Sequence, residues 1–462
     1  MTVPSKAFLA SLPAALLLAA CATVSAGTEE AASRAEAALP ELPAEFQAAE
    51  TRIVGQPVGW IGSFQDPLLT RLVAEAQANN KDLASAAASV SSARALAGVA
   101  SAALSPQVSV GAGTSNSGLL DGPDTNDYSL GADASWEVDL WGRLRSGQES
   151  ALRSLEAAEA DFLFSQYSIA AAVADTYFLA IEANRQLAVT QSQVDALAEI
   201  DRIVIVRFEN GIGTAQDVAL SASELADARN SLEQLAGAER DALRALEVLL
   251  GRYPAADLEV REDLPGVPPA PPAGLPSDLL ERRPDLIAAE RRIASAIKSV
   301  DEAKAAKLPS LSLTGSLGGA SNDLTNILDP TNLAWSAASS LLAPVIDGGR
   351  LDSQVDLAEA EVEAAVAAYA QAALNAFSDV EGALDQSVVL RRREAQLQTA
   401  VDQSREALRL ANLRFDEGET DLIDVLDIQT RVFTAESNLT TVQRSLLSEY
   451  VGLNLALGGT WE

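Results

Sequence analysis

Residues 128–141 read YSLGADASWEVDLW, and this stretch decides which class of fold the chain adopts. Apolar and polar residues alternate along it, which is the period of a β-strand with one apolar and one polar face. A Gly/Asp/Asn-rich stretch at 118–127 separates it from a second, more weakly alternating segment at 106–117, and together they predict an antiparallel hairpin. Strands of about ten residues or more, with Trp136 and Trp141 near one end, are typical of a transmembrane barrel with interfacial aromatic residues.

The chain is a tandem duplication. RFENG at 207–211 matches RFDEG at 414–418, an offset of 207 residues (414 − 207). PQVSV at 106–110 matches PSLSL at 309–313, an offset of 203 (309 − 106). Self-similarity over such distances means that one arrangement of elements is used twice.

The second copy therefore carries its own strand pair, predicted at 309–321 and at 333–346, with Trp335 near the start of the latter. Four strands cannot close a barrel in lipid, because open sheet edges are not tolerated in hydrocarbon. A membrane barrel thus requires several chains. Four strands of a small soluble sheet are the alternative that the pattern leaves open.

Each copy also contains one very long helix. Residues 149–210 contain no Gly or Pro and residues 350–417 contain a single Gly, so each stretch predicts a helix on the order of 100 Å long. Tight turns are expected at Gly211 and Gly418, because Gly adopts left-handed backbone conformations readily. After the second turn, apolar residues within 425–457 recur at three- and four-residue steps, which predicts a heptad seam facing an antiparallel neighbour.

The N-terminus predicts an export signal. Residues 1–20 combine Lys6 with an apolar run that is too short for a membrane span, and they form the predicted lipoprotein signal peptide. The run ends in LAAC at 18–21, which resembles a bacterial lipobox, so Cys21 is the predicted lipidation site. Ala22, in place of Asp, favours the outer membrane. An ordinary signal peptide with an incidental Cys is the alternative.

The rest of the chain divides into five parts. Residues 21–58, rich in Ala, Glu and Pro, predict a lipidated, extended strap without a core of its own. A segment with seven of the 19 prolines separates the two copies and cannot be helical. The predicted boundaries are 59–252 for the first repeat, 253–276 for this linker, 277–459 for the second repeat and 460–462 for the C-terminal end.

Composition excludes most enzymes. With no His and one Cys, the chain has no Ser-His-Asp or Cys-His catalytic group and no His-ligated metal. Lys plus Arg is 33 and Asp plus Glu is 65, a net charge of −32 that disfavours nucleic acid. We therefore expect no enzymatic activity, no cofactor, no metal site and no nucleic-acid partner.

Acidic residues crowd the second Gly turn. Asp424 and Asp427 stand three residues apart on the returning helix and so share a face. A solvated helix start, where acids complement the helix dipole, is the alternative. In the first copy Asp217 is retained but Leu220 takes the second position, so Asp217 is expected to contribute less or to act only as a helix-start acid. Six acids lie within twelve residues: Asp416, Glu417, Glu419, Asp421, Asp424 and Asp427.

From residue 60 to residue 459 the chain resembles the TolC and OprM type of outer membrane efflux factor, and its lipobox resembles the NodT-like lipoprotein branch. The resemblance rests on LLERRPDL at 279–286, KLPSLSL at 307–313, and FDEG at 415–418 leading to DVLD at 424–427. It implies an α+β membrane protein that assembles as a homotrimer. Each protomer would donate four strands to a twelve-stranded outer membrane barrel joined to a long α-helical periplasmic barrel.

The resemblance also implies a function. The trimer would be a passive export duct for small molecules such as drugs, anchored in outer membrane lipid and docked by a periplasmic adaptor (membrane fusion) protein and an inner-membrane pump of RND type. Asp424 and Asp427, with Asp217, would form an aperture and selectivity ring, in which mutual repulsion raises the carboxylate pKa values. Gly211 and Gly418 would mark the helix tips where the adaptor docks. A type I protein-secretion duct and a coiled-coil envelope spacer are the alternatives.

Overall fold

The computed structural model describes residues 23–40, 42–43, 45–48, 59–118, 120–121, 124–269, 271 and 276–459. The predicted signal peptide and Cys21 lie outside the described residues. The helices are α1 (Thr23–Ala37), α2 (Pro67–Asn79), α3 (Lys81–Ala102), α4 (Arg143–Glu209), α5 (Ala215–Leu249), α6 (Pro276–Arg282), α7 (Pro284–Ala305), α8 (Arg350–Asp416) and α9 (Leu422–Ala456), and the strands are β1 (Gln107–Ser117), β2 (Thr125–Val138), β3 (Ser310–Ser321) and β4 (Leu333–Leu342).

The duplication extends to the lengths of the elements. The long helices α4 and α8 have 67 residues each, and the returning helices α5 and α9 have 35 each. Each long helix follows a hairpin of two strands and precedes a turn, as the sequence predicts. Of the described helices, α3 is long and apolar enough to cross a membrane by length and composition alone.

The four strands form one antiparallel sheet in the order β1-β2-β3-β4. Its register places the apolar residues of neighbouring strands opposite one another: Val110 faces Ala132, and Leu317 faces Ala132 and Trp335. The intervening positions are polar, because Ser316 faces Asp133 and Ser336. One face of the sheet is therefore apolar along all four strands and the other is polar.

Two predicted strand boundaries need correction. The segment predicted as a strand at 333–346 ends at Leu342, because Pro344 has no N–H to donate to a neighbouring strand. The strand predicted to begin at Tyr128 begins three residues earlier, at Thr125, where the hairpin pairing with Ser117 starts. Within the described residues, β1 and β4 each pair on one side only, so the single chain has two open sheet edges.

The N-terminal segment is not an extended strap throughout, so that prediction is wrong for part of it. Residues 23–37 are helical, since Ala-rich sequence has a high helix propensity. Ala31 and Ala35 are buried, as is Phe46 further along. The carboxylate of Glu381 in α8 accepts hydrogen bonds from the backbone N–H groups of residues 47 and 48, at 2.7 and 2.8 Å. The described parts of the segment thus include buried residues and a backbone contact with α8.

The chain forms two compact units. The described residues of Met1–Pro40, with Ser89–Ala160 and Ile287–Ala372, form unit 1, which contains the sheet. Here α4 and α7 approach closely through hydroxyl groups, as Ser150 Oγ lies 3.0 Å from both Ser295 Oγ and Ser299 Oγ.

Unit 2 contains the described residues of Glu41–Ala88, Asp161–Leu286 and Ala373–Glu462. Among its described residues, one apolar core includes Phe64 and Phe178, whose rings meet edge to face with centroids 5.0 Å apart. The heptad seam predicted on α9 is confirmed, because all of its members are buried or half-buried. They are Val425, Ile428, Val432, Ala435, Leu439, Val442, Leu446, Tyr450, Leu453 and Leu457.

Candidate functional site

The two turns that follow the long helices have the same backbone geometry. Gly211 and Gly418 have φ angles of +73° and +77°, which L side chains rarely adopt. In each turn the N–H one residue beyond the Gly donates back to the carbonyl of an Arg in the last helical turn. These bonds run from Ile212 to Arg207 (2.9 Å) and from Glu419 to Arg414 (2.8 Å). The predicted tight turns are therefore Gly-dependent helix ends.

The two turns of one chain lie against each other. The Arg207 guanidinium is 4.6 Å from the centroid of the Phe415 ring, and its Nη1 donates to the Phe415 carbonyl oxygen at 3.4 Å. A cluster of buried apolar residues supports the contact: Val194, Leu197, Val204, Leu225, Ala228, Leu422 and Leu426. The sequence analysis did not predict this contact of Arg207. The one signal for it in the sequence is the Arg-Phe pair that both copies share, at 207–208 and 414–415.

The two aspartates of the second turn are exposed but differ in their partners. Asp424 accepts a hydrogen bond from the Thr420 hydroxyl at 2.6 Å. Asp427 accepts two hydrogen bonds from Arg431, at 2.8 and 3.0 Å, so its charge is partly neutralised by a surface ion pair. Within the described residues, no group of three or more His, Cys, Asp or Glu is arranged to hold a metal ion.

Asp217, the third predicted member of this ring, is part of a capping box. Its backbone N–H donates to Thr214 Oγ1 at 3.1 Å, and its carboxylate accepts from the Thr214 N–H at 3.0 Å. This satisfies two N–H groups at the start of α5. Leu220, at the position that corresponds to Asp427, packs on the apolar cluster between the turns.

The three predicted interfacial tryptophans lie at both ends of the sheet. Trp136, near the end of β2, donates from Nε1 to the Leu104 carbonyl at 3.0 Å, and Trp141, just beyond β2, donates to the Pro309 carbonyl at 2.8 Å. Trp335 lies near the start of β4, on the same apolar face as Trp136, and is 78% exposed.

A pair of helix joints, which sequence reasoning missed, repeats in the two halves. At the break between α2 and α3, Asn80 is buried and donates from Nδ2 to the Leu249 carbonyl, at the end of α5, at 2.9 Å. At the break between α6 and α7, Arg283 is buried and donates from Nη1 to the Ala456 carbonyl, at the end of α9, at 3.3 Å. Arg283 corresponds to Asn80 at an offset of 203 (283 − 80), and Ala456 corresponds to Leu249 at an offset of 207 (456 − 249). These are the two offsets of the sequence repeat.

The side chain at the second helix break, Arg283, is charged, whereas the one at the first break, Asn80, is neutral. Arg283 makes two hydrogen bonds to Asp285, at 2.8 and 3.1 Å, and a third to Asp379 of α8 at 3.3 Å. Burial alone would lower the pKa of Arg283, but Asp285 and Asp379 raise it above its ordinary value, so the guanidinium stays charged. Its side chain also lies 5.8 Å from the centroid of the Phe164 ring.

The sheet, the long helices and the paired turns define an outer membrane channel protein. Residues 72–252 and 275–459 match the sequence model of the family described as outer membrane efflux protein. Because these two segments cover most of the chain, the chain belongs to that family. Its fold is that of a trimeric outer membrane efflux channel, in which three protomers give four strands each to one barrel and their long helices to a periplasmic barrel.

The chain is similar to named outer membrane proteins over most or all of its length. It is 34% identical over 478 residues to the pyoverdine export outer membrane protein OpmQ of Pseudomonas putida, covering 100% of this chain and 99% of OpmQ. It is 31% identical to the solvent efflux pump outer membrane protein SrpC of Pseudomonas putida, with 86% of each chain covered. The solved structure of the outer membrane channel OprN superposes with a TM-score of 0.84 at 31% identity, covering 91% of this chain and 97% of OprN. These relatives are transport channels.

Proposed function

We propose that this trimer is the outer membrane duct of a tripartite system that exports small organic molecules, working with a periplasmic adaptor protein and an RND-type pump in the inner membrane. The observation that carries the proposal is the pair of contacting helix turns, one of which presents exposed carboxylates. The names of OpmQ and SrpC support small-molecule cargo, since one exports pyoverdine and the other belongs to a solvent pump. The exposed turns at Gly211 and Gly418 are the surfaces that we assign to adaptor docking.

Asp424 and Asp427 form the selectivity ring in this proposal. Three-fold symmetry brings six carboxylates around one aperture, which attracts cations and repels anions. Asp424 contributes more than Asp427 to the cation selectivity. Within the described residues Asp424 accepts a hydrogen bond from a neutral hydroxyl, whereas the charge of Asp427 is paired with Arg431. Asp217 contributes little to the cation selectivity, because its carboxylate accepts a hydrogen bond within the capping box.

Ion selectivity in planar bilayers tests this assignment. Asp424→Asn combined with Asp427→Asn should shift the reversal potential in a KCl gradient towards zero and weaken block by multivalent cations. Asp217→Asn is the control for the first turn, since it removes one carboxylate charge per protomer there, and it should leave both quantities close to those of wild type. Wild-type selectivity in the double variant would remove the ring from the proposal.

Membrane attachment, in this proposal, uses two elements. Cys21 carries acyl chains, and the shared barrel is the second membrane-binding element that stable anchoring needs. The apolar sheet face contacts lipid, with Trp136, Trp141 and Trp335 at the membrane surfaces. Incorporation of labelled palmitate by wild type but not by Cys21→Ser tests the anchor separately from the barrel.

A further inference from the structure

We propose that Arg283 is a positioning residue: its joint fixes the direction of the α8–α9 hairpin and thereby the width of the aperture at the far end of that hairpin. The inference rests on the proposed aperture at Asp424 and Asp427. This role accounts for the RRPD sequence at 282–285, which lies outside the two Gly turns and takes no part in their contacts.

The contacts of Arg283 support this role because they reach both helices of the hairpin. One guanidinium joins the start of α7 through Asp285, the middle of α8 through Asp379 and the last turn of α9 through the Ala456 carbonyl. Only 6% of Arg283 is exposed, so the guanidinium is held by these partners and not by water. A planar group with five donors can bind three partners in fixed directions, which the single ammonium of Lys cannot do.

The backbone packs tightly at the same place. Gly458, two residues beyond the end of α9, has a φ angle of +69°, and a Cβ added there would lie 3.0 Å from the carbonyl oxygen of Arg282. Gly251 in the first copy has a φ angle of +74°, and its added Cβ would lie 2.6 Å from the carbonyl oxygen of Asn79. Both joints therefore bring the end of a returning helix against a helix break, but the charged link to a long helix is found in the second joint.

The hairpin acts as a long lever. The 35 residues of α9 span about 50 Å between the joint and the second turn. A rotation of about 5° at the joint would move the turn by about 4 Å, which exceeds the diameter of a water molecule, about 2.8 Å. Repulsion among the clustered carboxylates pushes the turns of neighbouring protomers apart. Loosening the joint should therefore widen the aperture.

Asp379→Asn is the sharpest variant, because Asp379 is 56% exposed at its side chain and can lose its charge without leaving a buried ion unpaired. Asp385→Asn is the matched control: it removes the same charge from an exposed position of the same helix, away from the joint. Arg283→Lys is the second variant, which keeps the charge but not the three directions of binding.

Single-channel recordings of the trimers, paired with thermal unfolding in detergent, test the inference. Asp379→Asn and Arg283→Lys should raise the mean conductance by roughly 1.5-fold and broaden its distribution, because conductance follows the cross-section of the narrowest point. Asp385→Asn should match the wild type, and the unfolding midpoint of Asp379→Asn should stay close to that of wild type.

Wild-type conductance in Asp379→Asn would overturn the inference, as would an equal effect of Asp385→Asn, whether or not Arg283→Lys folds. The proposed ring fails by a different result, namely wild-type ion selectivity in the variant that combines Asp424→Asn with Asp427→Asn. A joint variant with altered conductance, alongside an unaltered double variant, would retain the joint and remove the ring.

Discussion

Placing a charge on either face of β3 gives the most direct test of how the sheet meets the membrane. Leu317 lies on the apolar face, between Ala132 and Trp335, and it is the eighth of the twelve residues of the strand. Ser316, its neighbour, lies on the polar face between Asp133 and Ser336. Leu317→Lys and Ser316→Lys therefore add the same charge at the same depth, on opposite faces.

The expected effect of Leu317→Lys is large. A Lys that faces lipid near the middle of a membrane barrel costs about 2–4 kcal/mol per protomer. This lowers the ratio of folded to unfolded protomers by roughly 30- to 1,000-fold, and the cost recurs in each of the three chains. Ser316→Lys faces the lumen and lies beside the Asp133 carboxylate, so we expect its stability to remain within about 0.5 kcal/mol of wild type.

Urea unfolding of the protein in lipid vesicles measures this difference, and the yield of trimer in the outer membrane fraction provides a second readout. Leu317→Lys should unfold at clearly lower urea concentration and give less trimer, while Ser316→Lys should behave as wild type. If Ser316→Lys were the more damaging variant, the faces would be assigned the wrong way round. If both variants matched the wild type, the strands would not lie in lipid.

Two further predictions concern segments next to the joints and turns. Burial alone would raise the pKa of Glu247, but the backbone N–H groups of Ala256 and Asp257, 2.7 and 2.9 Å from its carboxylate, hold the pKa below the ordinary 4.5. This contact therefore stabilises the linker above about pH 4.5 and is lost as the pH falls through the lowered pKa. Acid should lower the hydrogen-exchange protection factors of both amides in wild type, whereas Glu247→Gln should give low protection factors at both amides even at neutral pH. Thr214→Ala removes the capping box and should weaken the first turn of α5 by about 1 kcal/mol, measured as faster hydrogen exchange there; a change in ion selectivity would instead place Asp217 in the aperture.

Much of the fold follows from local signals in the sequence. The alternation at 128–141 predicts β2 because side chains of a strand point to opposite faces in turn. The absence of Pro and Gly predicts α4 and α8, and the turns at Gly211 and Gly418 follow from the need for positive φ. Each of these features depends on residues close together in the chain, so a single sequence is enough to read them.

Features that depend on distant residues were not predictable in the same way. The joint of Arg283 unites residues 96 and 173 positions away, so neither partner is marked by local spacing. The packing of the N-terminal segment on Glu381 spans more than 300 positions, and a composition rich in Ala, Glu and Pro gave the wrong expectation of an extended strap. The helix at 23–37 follows from local Ala-rich sequence, whereas the contact of residues 47 and 48 with Glu381 depends on a distant part of the chain.

The two copies of the repeat differ at residues that the proposed function uses. Duplication supplies two equivalent hairpins, and every feature needed only for folding can be shared between them, as the Gly turns and the helix joints are. Where the copies diverge, the second has Asp427 in place of Leu220 at the turn and Arg283 in place of Asn80 at the joint. Asp427 adds charge at the turn of the α8–α9 hairpin, and Arg283 adds charge at the joint that contacts Asp379 and the Ala456 carbonyl of that hairpin. In the proposed mechanism, a hairpin that presents repelling carboxylates at its turn needs firmer attachment at its base, so Arg283 at the joint and the acidic turn act together.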